Sequence, residues 1–144
     1  SPLLDYKVLF QSKLKIMTAK RGMRDSCSVS LKEIEQKPIV LPPMGTYIRT
    51  VIDDLTIRYK LNMQPCAETN DSTTLVQMVR TGKWISIGTD TSICQYPDLS
   101  GITIEEPTPQ FTAAVLLRKT GYHNQATQNL IKMIHDNIKN GQNN

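Results

Sequence analysis

The chain has 144 residues, 39% of them hydrophobic and 21% charged, with a formal net charge of +4. This is the profile of a soluble globular protein of one ordinary domain, or one and a half small lobes, and it excludes a disordered or fibrous chain. No run approaches the ~18 consecutive apolar residues that a bilayer span needs, and the Ser-Pro opening carries no charged-then-apolar leader.

In chain order, residues 13–18 alternate polar and apolar, the period of a half-buried strand. Six basic residues lie between Lys7 and Arg24 against Asp5 alone, and they read as solvated side chains of a strand and a loop. Residues 21–28, with Gly22, form that loop. Residues 30–36 predict a short helix, capped by Ser30 with Glu33 three residues on. Residues 38–41 are a short apolar run, suited to a strand buried on both faces, and Pro42-Pro43 break it. A helix is predicted over 46–60, with Ile48, Val51, Ile52, Leu55 and Tyr59 on one face.

Residues 62–68 predict the next strand, with Pro65 marking an edge or a start. Asn70, Asp71 or Ser72 then caps a helix that carries Leu75, Val76 and Val79 and stops near Gly82. Further strands are predicted over 84–87, 102–105 (after a turn at 97–101) and 111–117. A last helix covers 124–139, and a polar tail frays from residue 140. Strands alternating with helices through short connections imply βαβ units and a largely parallel sheet, an α/β fold in which the 102–105 strand need not be parallel.

In such sheets ligands bind beyond the carboxyl ends of the strands. Two predicted strand ends run straight into helix starts, one at Met44, Gly45 and Thr46, the other at Thr69, Asn70, Asp71 and Ser72. Free backbone N–H groups and the positive end of a helix dipole favour a carboxylate or other small anion there. Either Thr46 or Ser72 alone reads as a plain helix cap; the pair facing one cleft makes a candidate site.

Catalytic patterns are missing. His123 and His135 stand twelve apart, no GxSxG, HExxH or phosphate loop occurs, and Glu105-Glu106 would point to opposite faces of a strand. Cys66 reads as a small buried apolar residue. The three cysteines, Cys27, Cys66 and Cys94, stand in unrelated contexts, which argues against a disulfide framework or zinc site and for a reducing cytoplasm. No enzyme activity, cofactor or metal is expected.

The run 29–43 (VSLKEIEQKPIVLPP) resembles the lead-in and first strand of the second regulatory lobe of LysR-type transcriptional regulators. Residues 71–82 (DSTTLVQMVRTG) resemble that lobe's second helix, and 117–119 (LRK) with the helix from 124 resemble the family's return strand and last helix. The resemblance covers about residues 8–139. It implies a periplasmic-binding-protein-like fold of the second type: a second lobe over 39–110, and a partial first lobe from 1–38 and 111–144. A winged helix-turn-helix, a linker helix and the opening first-lobe strands would precede Ser1.

The implied function is sensing of a small-molecule effector that controls transcription, with DNA bound only through that helix-turn-helix. The different-class alternative is a stand-alone solute-binding or enzymatic domain of the same two-lobe fold. Trp84 and Thr89 replace a glycine and a proline of the family, and Gly22-Met23-Arg24 replace its His-Pro-Leu, so effector identity does not carry over. No cysteine follows the turn at Pro43-Met44-Gly45, which argues against thiol-based sensing. The family pairs side by side, and strands 13–18 and 111–117 would need covering, so a homo-oligomer is expected, with Leu14, Ile16, Val115 and Leu117 packed by a partner.

Overall fold

In chain order the elements are β1 (Leu4–Ala19), β2 (Ser28–Val29), α1 (Leu31–Ile34), β3 (Val40–Leu41), α2 (Tyr47–Arg58), β4 (Ala67–Glu68), α3 (Ser72–Arg80), β5 (Ser86–Thr89), α4 (Asp90–Ile93), β6 (Leu99–Ile104) and β7 (Gln110–Arg118). The structure is a computed structural model that describes residues 4–20, 28–118, 125, 128–130, 132–134 and 136.

The 16-residue strand β1 belongs to two sheets. Up to Lys13, opposite Gln110, it pairs antiparallel with β7 in a two-stranded ribbon. From Leu14, opposite Thr89, it runs between β5 and β6, antiparallel to both. The edge strand β2 lies parallel to β6. On the other side β3 lies parallel to β4 and is joined to β5 by the parallel bridge Ile39↔Ile85. The order across the main sheet is therefore β4-β3-β5-β1-β6-β2, with every described strand parallel except β1. Ser86, fully buried, donates its hydroxyl to the Val40 carbonyl at 2.6 Å and so ties β5 to β3 without leaving a buried polar group unpaired.

Strand alternation divides the core. Ile39, just before β3, and Leu41 of β3 join Leu14 and Ile16 of β1 on the face covered by Leu31 and Ile34 of α1 and Ile52 and Leu55 of α2. Val40 and Met17 face the opposite way, onto Val76 and Val79 of α3 and Ile93 of α4. Each such aliphatic side chain contributes roughly 1.5–3 kcal/mol on burial. Ser30 caps α1 as its spacing predicts, accepting from Glu33 N at 3.2 Å. Helix α3 ends through Gly82, whose N–H bonds Val79 O at 3.0 Å and whose φ of +80° suits a residue without Cβ.

Several expectations change. The strand expected over 62–68 is only Ala67–Glu68, since Leu61 to Pro65 make no ladder, and Trp84 stays outside β5. The turn at 97–101 is confined to Pro97-Asp98; Leu99 to Gly101 already pair with β1. Glu105 and Glu106 lie at a bend rather than on a strand, and both oxygens of Glu106 accept from Leu31 N, at 2.9 and 3.1 Å, closing the start of α1. Cys66 is exposed, not buried.

Leu14 and Ile16 need no partner chain, because the chain's own helices bury them. With Val29, Leu31 and Ile34 they belong to one core cluster with Ile39, Leu41, Ile52, Leu55 and Ile104. The loop at 21–27, His123, His135, the tail from 140 and most of the last helix lie outside the described residues, as do the side chains of Val115 and Leu117.

Candidate functional site

The parallel register Val40↔Ala67 and Leu41↔Glu68 ends β3 and β4 side by side, and Thr69 N donates to Leu41 O at 3.1 Å just beyond. The structure thus brings together the two loops that carry the predicted residues. Met44 (73% exposed) and Gly45 protrude from the first loop and Thr46 is half-buried; in the second, Thr69 is half-buried while Asn70, Asp71 and Ser72 are exposed.

The two helix starts differ chemically. At α3 the cap is Asp71, the second of the three candidates. Its carboxylate accepts from Thr73 N at 3.2 Å and from the Thr74 hydroxyl at 2.7 Å, and those bonds, the Thr74 one foremost, hold the Asp71 carboxyl below the usual carboxylate range. At α2, Thr46 stands at the cap position but turns away. Its hydroxyl donates to Pro43 O at 2.9 Å, and its side chain accepts nothing from the helix. The first-turn amides of α2 therefore keep their donors for another acceptor.

Arg49, only 6% exposed, organises both loops, and neither its position nor its role was foreseen. It donates from Nε to Asp53 at 2.9 Å and from Nη1 to Pro42 O at 2.9 Å, and Nη1 lies 3.2 Å from Glu68. Burial alone would lower the Arg49 pKa; the bonds and charges of Asp53 and Glu68 outweigh it and leave the guanidinium above its ordinary value. The only signal in the sequence was the Arg49/Asp53 spacing of four.

A third strand end completes this edge of the sheet. The Ser12 hydroxyl, on a residue 4% exposed, donates to the Asp90 carboxylate and lies 2.9 Å from Thr91 Oγ1. Thr89 accepts from Ser92 N, so the turn into α4 presents a row of hydroxyls beside the crossing of β1. Facing the ribbon, the exposed Tyr47 ring meets Phe111 edge-on, 5.4 Å between centroids at 89°.

A mixed sheet with strand ends on one edge and a single strand shared with a second sheet is a layout with known relatives. Residues 1–139 match the family model of the LysR substrate binding domain. The chain belongs to that family. The domain is the effector-binding domain of a LysR-type regulator, with a periplasmic-binding-protein-like fold of the second type.

Among solved structures, the effector binding domain of QuiR in complex with shikimate has a TM-score of 0.60 at 19% identity, over 95% of this chain and 66% of that one. The CcmR regulatory domain of Synechocystis PCC6803, in complex with 2-PG, gives 0.63 at 14%, over 95% and 69%. CbnR, a LysR family transcriptional regulator, gives 0.60 at 14%, over 92% and 46%. The chain thus spans about two thirds of the first two and under half of CbnR. At these identities the likeness is one of fold. No curated protein matches the chain in sequence. No helix among the described residues is long and apolar enough to cross a membrane.

Proposed function

We propose that the domain binds a small-molecule effector carrying a carboxylate or similar anionic group at the Met44, Gly45, Thr46 and Thr69, Asn70, Asp71, Ser72 loops. The occupied state would bias the geometry of an attached DNA-binding segment by population shift. The supporting observation is the asymmetry of the two adjacent helix starts. Asp71 closes α3, whereas the Thr46 hydroxyl is spent on Pro43 O, so α2 offers its amides to an incoming oxyanion. The hydroxyls of Thr69 and Ser72 stand beside it for a polyhydroxylated ligand body, and Met44 and Tyr47 give an apolar rim. Paired with Asp53 and Glu68, Arg49 has no charge left over, which makes it a brace between the loops rather than the anion's counter-charge. In this reading the lobe runs from about residue 14 to 110, the ribbon belongs to the other lobe, and the domain itself is neither an enzyme nor a sequence-specific DNA binder.

The experiment is a calorimetric screen of shikimate and other small carboxylates on the whole chain, followed by two variants at Tyr47. Proline is tolerated at the first helical position, and Thr46 already has the extended conformation (φ −77°, ψ 150°) that a residue before proline adopts. Tyr47→Pro removes one donor at the site; Tyr47→Ala removes the ring but keeps the donor. A charge-assisted hydrogen bond contributes about 1.5–3 kcal/mol, so Tyr47→Pro is expected to bind a selected carboxylate at least about tenfold more weakly than Tyr47→Ala. Equal affinities for the two variants would remove the α2 terminus from the site.

A further inference from the structure

The sheet face that carries α3 and α4 is not filled beside β6. A cavity of about 520 Å³ lies there, walled by Lys15 of β1, Ile93 and Cys94 of α4, and Tyr96 and Leu99, with Lys20 beyond the end of β1. It shares no residue with the 44–46 and 69–72 loops. A glycine of β6 helps to open it: a Cβ on Gly101, in the cavity wall, would stand 3.1 Å from Lys15 Cδ. The Lys15 stem therefore lies in space that a side chain at 101 would claim, and this half-buried residue lines the cavity with no side-chain ion pair or hydrogen bond among the described residues. Among the described residues Lys20 makes no ion pair either, and Asp98, which feels the Lys20 charge, is held by Arg80 at 2.7 Å.

We propose that this cavity is a second binding site, for a small organic anion whose carboxylate or phosphate lies between Lys15 and Lys20 and whose short apolar body rests on Ile93 and Leu99. Two cationic side chains at one cavity make the local potential positive, and a small anion with an apolar body complements both the charge and the apolar wall. The volume falls within the roughly 300–1,000 Å³ of small-molecule sites. Asp90, also in the wall, is committed to Ser12 and to Lys13 N, which leaves the two lysines to set the sign of the ligand.

Cys94 supplies the readout. Its exposed thiol lines the cavity, whereas the exposed Cys66 lies before β4 and outside it. The whole chain is alkylated with a maleimide while benzoate, phenyl phosphate, inorganic phosphate or neutral benzyl alcohol is titrated in, and each cysteine's rate is followed by peptide mass spectrometry. Benzoate or phenyl phosphate is expected to slow Cys94 hyperbolically, about tenfold once it exceeds its Kd about ten times, with Cys66 unchanged. Which of the two binds more tightly separates a carboxylate from a phosphate head. Inorganic phosphate and benzyl alcohol, each lacking one half of the ligand, are expected to protect less.

Lys15→Met keeps the stem and removes the charge, and Lys20→Met does the same at an exposed position; both are expected to lose the protection. Three results overturn the proposal: no protection of Cys94 by either aromatic anion, equal protection by benzyl alcohol, or protection that survives both lysine variants. Protection of Cys66 alone would place the anion at the 69–72 loop and so overturn this site while sparing the proposed effector site.

Discussion

Arg49 Nη1 lies 3.2 Å from the Glu68 carboxylate, so a side chain from the first turn of α2 closes on the last residue of β4. The same nitrogen reaches Pro42 O, and the strand end, the helix and the neighbouring strand share one guanidinium.

Removing that brace separates the loops. Arg49→Met leaves Pro42 O without its donor and two carboxylates facing each other. Because Asp53 and Glu68 are each nearly half exposed, water takes up part of the loss, and the expected cost is about 1–3 kcal/mol. Arg49→Lys restores a charge without the fork and is expected to fall between the other two in urea denaturation. A lysine variant as stable as the wild type would show that geometry is irrelevant there.

Acid should weaken the fold through Asp71, Asp98 and Glu35. Each has its folded pKa lowered: Asp71 foremost by the Thr74 hydroxyl, Asp98 by Arg80, and Glu35 by the Asn62 amide. A lowered folded pKa stabilises the native state above the unfolded value, about 3.9 for Asp and 4.3 for Glu, and that contribution disappears as pH falls through the folded value. Asp71→Asn, which can still cap, should therefore be less stable than wild type at pH 7, with the gap closing below about pH 4. A gap that stays constant with pH would assign the effect to cap shape and not to charge.

At Gly82 the backbone sits at φ +80° with open space where a Cβ would go. Conformation alone then sets the cost of Gly82→Ala, expected at about 1 kcal/mol in thermal or urea unfolding. Since α3 covers Val40 and Met17, loss of its end should also speed hydrogen exchange at Val79.

The ribbon predicts association. Before Leu14, β1 pairs only with β7, and β7 pairs only with β1, among the described residues. Strands with an unpaired edge recruit another chain. Sedimentation at tens of micromolar is expected to show a dimer, with a specific interface above about 1,000 Å². A stable monomer at high micromolar concentration would contradict this.

What the sequence disclosed was what periodicity encodes. The apolar stripes of α2 and α3, with Ile52, Leu55, Val76 and Val79 inward, could be read directly, as could the Ser30 cap and the Gly82 stop. The two loops of the candidate site followed from strand ends running into helices. Strand direction has no local signature, so the reversal of β1 in the middle of the sheet was invisible. So was its length, because one continuous strand was needed in two sheets and only 13–18 alternate clearly. Helix α4, a single turn, is too short for a period to show; Thr89-Asp90-Thr91-Ser92 was its one clue. Arg49 was missed because a charged residue on a helix is assumed to be solvated, and only the tertiary approach of Pro42 and Glu68 makes its burial favourable.

The double membership of β1 has a mechanical meaning. Lys13 is the last residue paired with β7 and Leu14 the first paired with β5, β6 joining from Lys15, so any torque between the two sheets falls on the peptide joining Lys13 and Leu14. Ser12 is clamped to Asp90 and Thr91 immediately before that point. On the return crossing Glu106 is fastened to α1 and the Pro107 carbonyl to Tyr59 at 2.7 Å, which leaves only residues 108 and 109 to yield. Two such short gaps lie side by side where the described chain passes between the two sheets. In the proposed reading, an effector that reorients the ribbon would have to act through those two crossings.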